Sequence, residues 1–219
     1  EFWRFVIEFC GIKGEWKGSI YEGENILSAK WFPQSKLNFA ENMLKNQSDD
    51  EALIFRCEDR ISETLSFAEL YNQVSKTAQH LKELGVIKGD RVAGFLPNFP
   101  GSIVAMLATA SVGAIWSSCS PDFGEQGVID RFGQIEPKVL FCVDGYFYNG
   151  KSHNCLDKIK SFIPRLPTLK QVVIFDYAFS DNISINNSIL YQEIVDKYEP
   201  KEIDFERVGF DHPLYIMYS

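Results

Sequence analysis

The chain has 219 residues, 45% hydrophobic and 24% charged, with 18 Phe, 9 Tyr and 4 Trp; so many aromatics exclude an intrinsically disordered chain and suit one sizeable globular domain with an attached segment. A formal net charge of -8 without any Lys/Arg cluster argues against nucleic acid or an anionic membrane surface as a partner. The longest apolar run, Ile103 to Trp116, is interrupted by Ser, Thr and Gly and is too short to span a bilayer; with no charged-then-apolar leader, neither membrane insertion nor export is expected.

Residues 1 to 10 carry apolar side chains at helical spacing and predict a helix closed by Gly11. Ile20 to Lys36 reads as an extended, aromatic-rich segment, after which Asn38 caps a short helix through Leu44. Ala52 to Arg56 and Glu63 to Phe67 flank Glu58-Asp59-Arg60 as an antiparallel hairpin. Ser66 and Glu69 form a capping box for a helix whose apolar positions Leu70, Val74, Ala78 and Leu81 recur every three to four residues, with Gly85 as its stop.

Beyond Gly85 strands and helices alternate. Strands are predicted at Asp90 to Pro97, Ala114 to Ser118, Lys138 to Val143, Gln171 to Phe175 and Pro213 to Tyr218. Helices are predicted at Gly101 to Val112, Glu125 to Ile135, Leu156 to Phe162 and Ile189 to Tyr198, with Asp181 to Ser188 a polar surface loop. This alternation, with short and continuously apolar strands, predicts an α/β fold: a doubly wound, mostly parallel sheet with helices on both faces, preceded by an N-terminal helical and extended segment. Ligands of such sheets collect beyond the carboxyl ends of the strands, where Pro97 to Pro100, Ser117 to Gly124 and Asp144 to Lys151 are expected as loops.

The five cysteines (Cys10, Cys57, Cys119, Cys142, Cys155) are odd in number and form no Cys-x-x-Cys pair, as in a reduced cytoplasmic protein. The three histidines are far apart, no metal-ligand spacing occurs, and the Ser and Cys residues of 117 to 120 have no identifiable His partner for nucleophilic catalysis.

Several segments together resemble acyl-CoA synthetases of the adenylate-forming superfamily, over essentially the whole chain. They are Trp31-Phe32-Pro33-Gln34-Ser35-Lys36-Leu37-Asn38-Phe39-Ala40-Glu41-Asn42, Lys88-Gly89-Asp90-Arg91-Val92-Ala93-Gly94-Phe95-Leu96-Pro97-Asn98, and Trp116-Ser117-Ser118-Cys119-Ser120-Pro121-Asp122-Phe123-Gly124 followed by Asp130-Arg131-Phe132 and Ile135-Glu136-Pro137-Lys138. The third is similar to the acetoacetate-activating group. The resemblance divides the chain into a lead-in segment, 1–50, and the first part of a large AMP-binding domain, 51–219. Asp211 to Ser219 is similar to the strand that leads into the superfamily's Ser/Thr/Gly-rich phosphate loop, with Ser219 as that loop's first, nucleotide-binding residue.

The implied reaction is acetoacetate + ATP + CoA to acetoacetyl-CoA + AMP + pyrophosphate through an acyl-adenylate, with ATP, CoA and Mg used by the full-length enzyme. No catalytic residue, metal ligand or tightly bound cofactor is expected within these 219 residues, so the piece is expected to be inactive alone. The CoA site is the part implied here. On the pair of phosphate-binding arginines of acetyl-CoA synthetases, an ungapped alignment puts Tyr148 and Lys151. Lys151 keeps the charge; Tyr148 can stack or donate one hydrogen bond but carries none. Pro121 and Asp122 are the other CoA-binding candidates, beside the plainer reading of a strand-to-helix turn in which Asp122 caps the next helix. Tyr146, Phe147 and Tyr148 serve either as a nucleotide platform or as packing. The competing functions are a synthetase for another short carboxylate and a non-catalytic α/β binding module.

Overall fold

The computed structural model describes residues 1–58, 60–179 and 185–218. In chain order the elements are α1 (Phe2–Phe9), β1 (Tyr21–Glu22), β2 (Lys30–Trp31), β3 (Lys36–Leu37), α2 (Phe39–Met43), β4 (Glu51–Cys57), β5 (Ile61–Ser66), α3 (Phe67–Glu83), β6 (Arg91–Phe95) and α4 (Pro100–Ser111). There follow β7 (Ile115–Cys119), α5 (Glu125–Ile135), β8 (Val139–Val143), β9 (Gly145–Tyr148), β10 (Lys151–Asn154), α6 (Leu156–Phe162), β11 (Gln171–Phe175), β12 (Ser188–Leu190), α7 (Tyr191–Lys197) and β13 (Val208–Gly209).

Local chemistry sets the helix ends. Gly11, at φ +57°, closes α1 with Gly11 N–H on Glu8 O (3.1 Å) and Ile12 N–H on Ile7 O (3.0 Å), the paired bonds of a Schellman cap. Asn38 Oδ1 accepts from Glu41 N–H at 3.2 Å to start α2. The capping box of α3 is complete: Ser66 Oγ accepts from Glu69 N–H (3.2 Å) and the Glu69 carboxylate from Ser66 N–H (2.8 Å).

The central sheet is parallel throughout, in the order β12-β11-β8-β6-β7. All five residues of β8 are buried, and Phe95, Phe132, Phe141 and Phe162 are fully enclosed around it; burying one such side chain stabilises by about 1.5–3 kcal/mol. Helices α3, α4 and α7 pack together, and α5 packs on α6. From β6 the chain steps one way to β7 and then back past it to β8. Right-handed crossovers in opposite directions put α4 and α5 on opposite faces. The residues before β4 are tied to the sheet and its helices by Asn38, whose Nδ2 donates to Ala110 O (2.8 Å) and Glu206 O (2.7 Å), and by a two-pronged pair between Arg207 and Glu41.

Four expectations need correction. Pro213 to Tyr218 lies beside β7 but makes only one parallel bridge, Trp116 with Tyr215, through Trp116 N–H to Leu214 O (3.1 Å) and Ile216 N–H to Trp116 O (2.9 Å); Pro213 has no N–H with which to extend it. Helix α7 starts at Tyr191 rather than Ile189, because Ile189 and Leu190 pair with Val173 and Ile174 as β12. Asp144 to Lys151 is no open loop: it holds β9 and the start of β10, an antiparallel hairpin. Asp122 does not cap α5, whose N-cap is Gly124. Residues 181–184 of the expected polar loop lie outside the described residues.

Candidate functional site

The sheet runs 2-1-3-4-5 when its strands are numbered by their order along the chain, so its direction reverses between β6 and β8. A crevice at the carboxyl ends of those two strands is where such sheets take ligands. Lys158 of α6 stands there, with Nζ 5.6 Å from the centre of the Phe95 ring and donating to Pro121 O at 2.7 Å. It fixes the buried Pro121 and with it the Ser120 to Gly124 turn. The sequence reading missed Lys158, since nothing local separates it from an ordinary helical lysine.

Asp144, fully buried at the end of β8, gathers the neighbouring backbone. Its carboxylate accepts from Gly145 N–H (2.7 Å), Tyr177 N–H (2.9 Å), Ala178 N–H (2.9 Å) and Phe179 N–H (2.6 Å). A carboxylate so occupied holds β8 to the segment after β11.

Gly145 to Asn154 forms the β9–β10 hairpin. Asn149 (φ +51°) and Gly150 (φ +73°) are its two central residues, both in the left-handed region, as a type I′ turn requires. The Asn-Gly pair is a hairpin signal that was present in the sequence and went unread. The turn makes Tyr148 and Lys151 direct cross-strand partners, both exposed. Tyr146 stacks on His153 at 4.9 Å between ring centroids, and Phe147 packs on Tyr177 at 5.8 Å. Of the three aromatics, Tyr146 and Phe147 pack, and Tyr148 stays open to solvent. His153 Nε2 is buried and has no hydrogen-bond partner among the described residues.

The hairpin meets the 120 to 124 turn through Tyr146 and Asp122. The Tyr146 phenol, followed by the Ser120 hydroxyl, holds the exposed Asp122 carboxyl below its ordinary value; burial, with Asp122 beside it, pushes Tyr146 up to about 12. Asp122 also accepts from Ser120 Oγ at 2.9 Å. Tyr148 with Lys151, and Asp122 with Pro121, therefore form two groups joined by one hairpin. Ser219 lies outside the described residues.

Burial raises the Cys119 thiol to about 12 and the Cys155 thiol to about 11, which favours the protonated thiol near neutral pH. Among the described residues no group of three or more His, Cys, Asp or Glu could hold a metal ion, and no helix is long and apolar enough to cross a membrane. Two cavities, of about 970 and 420 Å³, are bordered partly by residues 10–47 and contain none of the candidate residues.

The sequence profile of the AMP-binding enzyme family matches residues 39–219. The chain belongs to that family. Acetoacetyl-coenzyme A synthetase of Rhizobium meliloti (strain 1021) is 45% identical over the whole chain and acetoacetyl-CoA synthetase of Danio rerio 39%, the matched part being 34% of each. Malonamoyl-CoA synthetase vrtB of Penicillium aethiopicum is 32% identical, over 33% of its length. The solved structure of acetoacetyl-CoA synthetase from Streptomyces lividans superimposes with a TM-score of 0.92 at 38% identity, over 100% of this chain and 34% of that one. This AMP-binding chain thus spans about a third of the length of the relatives it matches.

Within the AMP-binding chain, residues 214 to 218 run beside β7 towards α5. Ser117 Oγ donates to Ile216 O (2.9 Å) and the Tyr218 hydroxyl to Arg131 O (2.7 Å), and the Arg131 guanidinium sits 4.2 Å from the Phe123 ring centre and 5.6 Å from that of Tyr218. The adjacent Asp130 faces elsewhere and accepts from Gln126. Arg131 is thus a structural tie between the 120 to 124 turn and the segment that leads to Ser219.

Proposed function

We propose that the chain is the N-terminal third of an acetoacetate–CoA ligase, its residues 1–50 the lead-in and 51–219 the opening of the large AMP-binding domain. The carrying observation is 45% identity with an acetoacetyl-coenzyme A synthetase along the entire chain, joined to a backbone match of TM-score 0.92 with another. The acetoacetate carboxylate attacks the α-phosphorus of ATP; pyrophosphate leaves and acetoacetyl-adenylate forms. The CoA thiol then attacks the activated carbonyl, and AMP leaves as the thioester forms. Magnesium would screen the departing pyrophosphate; among the described residues no group of three or more His, Cys, Asp or Glu could hold it.

In this reading the 219-residue part holds coenzyme A, whose nucleotide end docks at the β9–β10 hairpin. Lys151 meets a phosphate, and the exposed Tyr148 ring beside it offers a stacking face. Pro121 and Asp122, held by Lys158 and Tyr146, line the approach. The cytoplasm, with no nucleic-acid partner, is the proposed setting.

The malonamoyl-CoA synthetase relative supports a second reading, another short acid with a carbonyl β to its carboxylate. Acid-dependent exchange of pyrophosphate into ATP by the full-length enzyme separates the two. Exchange with acetoacetate and little with malonamate, acetate or propionate is expected; preference for malonamate would support the second reading, and no exchange with any acid would sink both. The 219-residue chain alone is expected to give none.

A further inference from the structure

The Ser120 to Gly124 turn is held at two of its residues. Lys158 takes the Pro121 carbonyl, and the Phe123 ring lies against α5 with its centre 4.2 Å from the Arg131 guanidinium. Gly127 makes room for that ring: a Cβ there would stand 3.2 Å from Phe123 Cδ1 and 3.5 Å from Arg131 Nη1. The same guanidinium lies 5.6 Å from the centre of the Tyr218 ring, and the Arg131 carbonyl accepts from the Tyr218 hydroxyl at 2.7 Å. One residue of α5 therefore touches both the turn and the segment 214 to 218.

The chemistry of the contact is that of arginine. Among the described residues no carboxylate stands within ion-pair distance of Arg131, and the adjacent Asp130 is engaged with Gln126. The partners of the guanidinium are the Gly127 carbonyl, at 2.9 Å from Nη1, and the two aromatic rings. A planar, weakly hydrated cation suits such rings, whereas a lysine ammonium holds its water and cannot stack. The Gly127 bond fixes the guanidinium, and so fixes what the two rings pack on.

Resting on the ligase reading above, in which the 120 to 124 turn lines the approach of CoA and residues 214 to 218 lead into the loop that takes the ATP phosphates, we propose that Arg131 is a positioning residue shared by the two nucleotide sites. Through Phe123 and Tyr218 it sets the turn and the entry to the phosphate loop together, so that a change made on the turn is felt in ATP binding.

The test measures KM for ATP in acetoacetate-dependent pyrophosphate exchange by the full-length enzyme, a half-reaction that needs no CoA. Wild type is compared with Arg131→Met, Arg131→Lys, Phe123→Leu and the double variant of Phe123→Leu with Arg131→Met. Arg131→Met is expected to raise KM for ATP by about threefold to tenfold, as befits loss of a partly desolvated cation–π contact, with kcat of exchange changed by no more than about twofold; Arg131→Lys is expected to raise it less. Phe123→Leu leaves α5 and residues 214 to 218 unaltered, yet is expected to raise the same KM in the wild-type background and not in the Arg131→Met background, because the link runs through the guanidinium. A fall in kcat with KM for ATP unchanged in Arg131→Met marks a merely structural role and overturns the proposal. So does a Phe123→Leu effect confined to KM for CoA in the overall reaction, or one of equal size in both backgrounds. Should Arg131→Met not fold, Phe123→Leu alone decides, and an unchanged KM for ATP overturns the link. Absence of exchange from the wild type with every acid sinks the ligase reading itself and this proposal with it.

Discussion

Asp144 is the most exacting single residue of the site region, because four backbone N–H groups converge on its carboxylate. Removing the acceptor leaves buried donors unsatisfied, each at about 1–3 kcal/mol. Asp144→Ala is expected to cost about 4 kcal/mol or more in denaturant unfolding, and Asp144→Asn, which keeps one acceptor oxygen, clearly less. His80 carries a pH response of a different kind. It is buried on α3, with Nε2 2.6 Å from Gln171 Oε1 and Nδ1 3.3 Å from the Tyr198 hydroxyl, and burial lowers its pKa below the ordinary 6.5. The unfolded chain then binds a proton that the folded chain refuses. Its stability contribution is full above about pH 6.5 and is lost as pH falls from there through the lower folded value. Lys197 and Glu83 face the same cluster, and Glu83, held low by Lys197 and Tyr198, adds its loss only at more acid pH. Urea midpoints taken from about pH 7.5 to about pH 5.5 are expected to fall, and to fall less in His80→Gln.

At the scale of elements, the β9–β10 hairpin has one position where no side chain fits. A Cβ on Gly145 would stand 2.5 Å from the His153 carbonyl oxygen of the partner strand and would run into the Phe179 ring. Backbone cannot yield as a side-chain tip can, so Gly145→Ala is expected to destabilise by about 1–3 kcal/mol and to speed proteolysis within the hairpin. Helix α5 and helix α1 make a second contrast. Phe132 of α5 is wholly buried, whereas Phe5 of α1 is 62% exposed. Thermal unfolding should register a loss of about 3–5 kcal/mol for Phe132→Ala and a change within about 0.5 kcal/mol for Phe5→Ala. Both helices were legible in the sequence, α1 from apolar residues at helical spacing and α5 from its place in the strand–helix alternation, and neither signal reports what covers an apolar face.

For the whole molecule, the Glu41–Arg207 pair joins residues 166 apart and fixes α2 to the chain just before β13. The two partners are not equally placed: the Glu41 side chain is 9% exposed and that of Arg207 34%. Arg207→Ala strands a buried carboxylate and is expected to cost about 3 kcal/mol. Glu41→Ala leaves an arginine that can reach water and should cost less; melting curves of the two variants check the order. Folding at this scale was only partly written locally. Caps, capping box, left-handed glycines and apolar runs act over a few residues, and they gave α1, α2, α3, α5, α6 and β11 within a residue or so. The same runs also gave the α/β class, because alternating strands and helices have few ways to pack. Sequence motifs nominated Pro121, Asp122, Tyr148 and Lys151 for the site. Strand order, the Asp144 carboxylate under four amides, Lys158 over Phe95 and the meeting of Arg60 with Gly150 were decided only by the tertiary structure. Each depends on groups tens of residues apart, and no local spacing encodes which of many apolar or charged partners will be adjacent once the core has closed.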